Sequence, residues 1–174
     1  MTLILIYNWN MILDTYISFL DKLLEEILQR GIDVSKYELD HISYQANSNN
    51  DYDKLFLEFK KLGTQVFQTS AGGRRESIFK FKNPLIYKHY TISAFELLEP
   101  KKDQKCISAL EHAEFVINRK FEDFMKLYPL INNWDITAIN RPGFAMLKLK
   151  LTKDTQVKFH HTPILQIIDK LNEK

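Results

Sequence analysis

Two stretches of this chain place an acid directly before a histidine at the start of an apolar, strand-like run. ELDHISYQA carries Asp40-His41, and ALEHAEFVI carries Glu111-His112. Side chains alternate along a strand, so His41 points with Ser43 and Gln45 and away from Ile42 and Tyr44. Two more polar residues stand in matching later runs, Glu96 in ISAFELLEP and His160 in VKFHH. If the strands curl toward one another, His41, Glu96, His112 and His160 converge. Three imidazoles and a carboxylate suit a borderline divalent ion such as Zn, Ni, Fe or Mn. A buried carboxylate also needs paired charge, which an ion supplies.

Plainer readings of the same residues stay open. A buried histidine is more often a hydrogen-bonded core residue, Asp40-His41 can be a local pair, and Glu96 can meet a lysine. The spacing matches no HExxH, zinc-finger or phosphate-loop pattern. Arg74, beside the Gly72-Gly73 turn, could clamp a substrate carboxylate with two parallel hydrogen bonds, or be solvated like most turn arginines. His89 reads as a rim or surface residue. On an extended strand only one of His160 and His161 can enter a cleft, and His160 is the choice because it shares a face with Lys158.

The elements that must position these residues follow from periodicity. From Met11 to Gln29, apolar residues at Ile12, Leu13, Tyr16, Ile17, Leu20, Leu23, Leu24, Ile27 and Leu28 predict an amphipathic helix, stopped by Gly31. The rhythm then changes to period two. Strand His41–Ala46 is followed by a helix capped by Asn50 or Asp51 and running to Leu62. Strands Thr64–Thr69, Ser77–Phe81 and Tyr90–Leu97 complete a unit. The order recurs with strand Glu111–Ile117, helix Lys120–Leu127, a weak strand Ile136–Asn140, and strands Ala145–Leu151 and Gln156–His161. A helix from Pro163 to Leu171 closes the chain. The order βαβββ, read twice, is an internal duplication. Residues 1–36 form an extension and helix, module one spans about 37–100 and module two about 108–162. The two are expected to pack with the closing helix as a single body. Tyr44, Phe67, Phe79 and Phe95 read as core.

Bulk composition restricts the class. With 174 residues, 45% hydrophobic and 26% charged, the chain can bury a full core. A net charge of +2 argues for neither nucleic acid nor membrane as a partner. One cysteine, Cys106, excludes an internal disulfide and a cysteine-cluster metal site, and fits a reducing cytoplasm. The opening MTLILIYNWN is too short to span a bilayer and has no basic leader. It is expected to be loosely packed, or to lie upstream of a start at Met11.

The motifs DHIS, GGRR followed by IFKF and NP, KHYTISAFELLEP, EHAEFVI and VKFH occur in one order that resembles the YecM family of the vicinal-oxygen-chelate superfamily. The resemblance covers roughly residues 11–171. It implies an α+β fold in which two tandem βαβββ modules form a U-shaped, partly closed mixed sheet around a metal cleft, with an N-terminal helix and a short C-terminal helix. It places metal ligands on the first and last strands of each module, here His41, Glu96, His112 and His160. Superfamily enzymes usually carry glutamate where His160 stands. The implied activity is metal-dependent chemistry of isomerase, lyase or dioxygenase type on a small molecule with two chelating oxygens, where the ion stabilises an enolate or oxyanion. A drug-sequestering binder and a module with a dead site are the rival readings. The chain would be a monomer or homodimer.

Overall fold

The structure is a computed structural model and describes residues 11–173. The reading of MTLILIYNWN lies outside them. Helix α1 (Met11–Gln29) buries Ile12, Leu20, Leu23 and Ile27, while Leu13, Ile17 and Leu28 of the same apolar set remain exposed. Gly31, at φ 78°, ends it: its amide donates to the Leu28 carbonyl and the Ile32 amide to that of Ile27, the double closure that a left-handed residue makes possible.

The first module runs β1 (Glu38–Gln45), α2 (Asn49–Leu62), β2 (Gly63–Thr69), β3 (Glu76–Tyr87) and β4 (Tyr90–Leu98). The second runs β5 (Ala109–Val116), α3 (Phe121–Lys126), β6 (Trp134–Asp135), β7 (Leu147–Lys150) and β8 (Gln156–His160), and α4 (Ile164–Asn172) follows. The eight strands of the described residues join one curved mixed sheet in the order β2-β3-β4-β1-β5-β8-β7-β6. Each module pairs its first and last strands in parallel, β1 with β4 and β5 with β8. The modules meet through the antiparallel pair β1–β5, where His41 faces Glu114, Ile42 faces Ala113 and Ser43 faces His112. A two-fold axis at the Ile42–Ala113 pair therefore exchanges His41 with His112. The α+β fold with tandem βαβββ modules is as expected.

Strand alternation divides the sheet into an apolar and a polar face. Ile42, Tyr44, Phe95, Phe115 and Phe159 turn to the helices and are buried. Tyr44 and Phe95 meet Phe59 of α2 edge to face, and Phe124 of α3 meets Phe159 at 4.7 Å between ring centroids. His41, Ser43, Glu96, His112, Glu114 and Lys158 occupy the alternate positions. A smaller cluster, Ile78, Ala94, Ile164 and Ile168, seats α4.

Several local expectations are corrected. The cap of α2 is Ser48, whose Oγ accepts from the Asp51 amide at 3.1 Å. Strand β3 does not stop at Phe81 but continues through Pro84 to Tyr87. Beyond Phe81 it has lost β2, and Pro84 falls in the register gap between Lys80 and Leu85, where no ladder amide is required. The expected strand Ile136–Asn140 does not form; a two-residue strand, Trp134–Asp135, lies just before it, because the Asp135 carboxylate takes the Thr137 amide at 2.9 Å and turns the chain. Phe67 is half-buried and lines a cleft. Gly63 is fixed by close approach of strands: a Cβ there would sit 2.5 Å from the Lys80 carbonyl oxygen. No helix of the described residues is long and apolar enough to cross a membrane.

Candidate metal centre

The acid–histidine pairs owe their geometry to two bulges. In the β1–β5 ladder Leu39 faces Phe115 and His41 faces Glu114, so Asp40 is an extra residue. Tyr44 faces Leu110 and Ser43 faces His112, so Glu111 is extra in the same way. A bulge breaks the alternation and re-aims a side chain. Each bulged acid turns onto its own histidine: Asp40 Oδ2 is 2.8 Å from His41 Nδ1, and Glu111 Oε2 is 2.8 Å from His112 Nδ1. This fixes both rings by Nδ1 and leaves Nε2 for other partners, the usual arrangement of a metal-ligating histidine held by a carboxylate.

Those Nε2 atoms meet two glutamates. His112 Nε2 lies 3.2 Å from Glu96 Oε2 and 3.1 Å from Glu114 Oε1, and His41 Nε2 lies 3.5 Å from Glu114 Oε1. Ligand-capable atoms of His41, Glu96, His112 and Glu114 all fall within 4.8 Å of one another, and all four residues are buried. His160 belongs to a neighbouring group with Asp40 and His41. Its Nδ1 is 2.9 Å from the Thr162 carbonyl oxygen, and its Nε2 is 3.3 Å from Asp40 Oδ2 and 3.6 Å from Glu114 Oε2. Of the four residues singled out from sequence, the structure thus groups His41, Glu96 and His112 with Glu114, and sets His160 beside them. Glu114 was legible as the residue two beyond His112 on the same strand face.

Lys158 was also missed. It stands opposite Glu114 across β5–β8, as Glu96 stands opposite Ser43 across β1–β4. Its Nζ lies 2.7 Å from His112 Nε2 and 2.8 Å from Glu114 Oε1. Around it these groups set one another's charge. Burial would raise Asp40, but bonds from His160 and His41 hold it at about 2. Burial opposes the charge on His41, yet Glu114 and Asp40 lift it to about 10. His112 is lifted to about 9 by Glu111 and Glu114, against burial and the Lys158 charge. Glu96 and Glu114 are held below the ordinary carboxylate range, again against burial, with Lys158 the strongest opposing influence.

This set could hold a divalent ion. Glu96 Oε2 and Glu114 Oε2 are buried without a hydrogen-bond partner, so lone pairs are available. An ion needs both Nε2 atoms free of protons, so its uptake competes with protonation of His41 and His112.

The group opens on a cleft of about 610 Å³ whose walls include Arg74, Glu76, Arg141, Phe144 and Ile164. Arg74 donates Nε to Glu76 Oε1 at 3.1 Å and Nη1 to Gln45 Oε1 at 3.1 Å. Its neighbour Arg75 turns away, bonding Glu99 and Asp53 and lying over the Tyr52 ring. His89 contacts the Ser35 carbonyl oxygen beside Tyr90, and His161 stacks on Phe121; neither lines this cleft.

Comparison with known proteins bears on family and fold. A family model described as YecM protein matches residues 8–153. An uncharacterized protein of Haemophilus influenzae is 28% identical over 120 residues, covering 68% of this chain and 56% of that protein. Protein YecM of Escherichia coli is 26% identical over 95 residues, covering 54% of this chain and 50% of that one. The chain spans about half the length of these curated relatives. A structural-genomics structure, Protein EC4020, superposes with a TM-score of 0.71 at 22% identity over 97% of this chain and 99% of that one. Methylmalonyl-CoA epimerase in complex with methylmalonyl-CoA and NH4+ superposes with a TM-score of 0.50 at 13% identity, over 74% and 96%. These likenesses concern the fold, which is that of the vicinal-oxygen-chelate superfamily. The chain belongs to the YecM family.

Proposed function

We propose that the chain is a divalent-metal-dependent enzyme acting on a small anionic molecule that presents two neighbouring oxygens. The observation that carries this reading is the pair of carboxylate-fixed imidazoles, His41 and His112, whose Nε2 atoms face Glu96 and Glu114 at the base of a cleft. A divalent ion bound there supplies Lewis acidity toward the substrate oxygens. The protein's own part is to orient and to exclude. Asp40 and Glu111 hold the rings, Phe144 and Ile164 keep water from one wall, and Arg74 can direct its remaining Nη2 toward a substrate carboxylate. The chemistry is of isomerase, lyase or dioxygenase type. Cytoplasmic residence agrees with the single free thiol, Cys106.

The test begins with metal analysis of untagged protein purified without chelator. Small α-hydroxy, α-keto or catecholic acids should then raise the melting temperature of metal-loaded protein and leave the chelated form unchanged. Equal stabilisation of both forms would identify a metal-independent sequestering pocket instead.

A further inference from the structure

The two-fold relation between the modules brings out a charge reversal. With His41 exchanged for His112, the register carries Ser43 onto Glu114 and Glu96 onto Lys158. Where the first module's last strand offers a carboxylate, the second offers an ammonium. Lys158 is buried, only 8% exposed, and its Nζ touches two of the four donors. Its charge also acts on Glu96 and Glu111, which sets it on the side where the donors converge.

The donor spacings match an ion. Two ligands each about 2.0–2.2 Å from a metal stand roughly 3.0–3.6 Å apart, and the pairs His112–Glu96, His112–Glu114 and His41–Glu114 are 3.2, 3.1 and 3.5 Å apart. An ion at that point and an ammonium 2.7–2.8 Å from the same two atoms would crowd together with like charge. They cannot share the place.

We propose that Lys158 is a resident counter-ion that occupies the cation position in the metal-free protein and is expelled into the cleft when a divalent ion enters, where its ammonium joins Arg74 in facing an anionic ligand. This rests on the metal-dependent reading above. The exit route is open: Lys158 lines the cleft together with Arg74, and Glu76, paired with Arg74, feels its charge. The exchange has two consequences. The metal-free site stays neutralised and folded, and an ion arriving creates the anion-binding group along with the Lewis acid.

The experiment compares zinc binding to wild type and Lys158→Met by calorimetry, with melting curves in chelator and in zinc. Expected are at least tenfold tighter zinc binding by the variant, a lower melting temperature than wild type in chelator, and a larger gain on adding zinc. Reductive methylation of wild-type protein, read by mass spectrometry at Lys158, needs no variant to fold. Zinc should make Lys158 react faster. Equal or weaker zinc binding by Lys158→Met, or methylation unchanged or slowed by zinc, overturns the proposal while leaving the metal site standing. If neither protein binds zinc, both the metal reading and this exchange fall together.

Discussion

The imidazoles of His41 and His112 meet edge to face across the β1–β5 pair, with ring centroids 6.5 Å apart and an interplanar angle of 69°. They come from separate modules, yet each is held by the acid before it, and both direct Nε2 at Glu114. The site therefore depends on the seam between the modules as much as on either one.

Loosening one ring should weaken the ion without removing a ligand. Glu111→Ala frees His112 Nδ1, and outer-shell changes of this kind cost about 10–100-fold in metal affinity. Competition against a chromogenic chelator should show that loss. Unchanged affinity would mean that Glu111 serves only Gln156, to which it is also bonded.

Glu114 and His160 can be ranked directly. Glu114 touches both ring nitrogens, whereas His160 lies beyond it with Asp40. Zinc titration should show Glu114→Gln losing more than about 100-fold in affinity and His160→Ala losing about tenfold, as an outer-shell group does. The reverse order would move the ion to the Asp40–His160 side.

Acidity provides an independent check. His41 and His112 are raised in the folded state to about 10 and about 9, so their stabilisation is full below about 6.5 and is gone once pH passes those values. Asp40 and Glu111, lowered to about 2, contribute above about 4 and lose this as pH falls toward 2. Metal-free protein should melt highest between about pH 4.5 and 6.5, and fall steadily toward pH 10. Zinc-loaded protein, with those protons displaced, should keep its melting temperature across the alkaline range, and zinc affinity should rise with pH. A flat alkaline profile in chelator would show that the rings are neutral in the metal-free protein.

Away from the site, Gly63→Ala tests the strand approach. A methyl group pressed against the Lys80 carbonyl should cost about 1–3 kcal/mol in urea unfolding, as overpacking does. Gly63 pairs with Phe81, at the end of the β2–β3 ladder, far enough from the cleft residues that zinc affinity should hold.

Much of this architecture can be read along the chain, and the unread part has a common cause. The duplication, the helices and the acid–histidine pairs are local patterns, set by period and by neighbours in sequence. The roles of Glu114 and Lys158 depend on which residue lies opposite which, and register is a property of two strands together. Lys158 and His160 share one strand face, so alternation alone cannot choose between them; the ladder places Lys158, not His160, at the position of Glu96. Asp40 shows a further limit. Strict alternation sends it away from His41, and only the bulge brings the two together.

The central β1–β5 pairing also fixes what half of this molecule could do. Cut in the connection between Leu98 and Ala109, each half would carry one acid–histidine pair without the partner strand that sets its bulge, and one open strand edge, β1 or β5. Such an edge seeks a partner, and the partner of matching shape is another module. Reassociated halves would regain both rings around one point, so zinc uptake would report their reunion. The seam makes the protein a candidate for a split reporter, silent as fragments and metal-responsive once complemented.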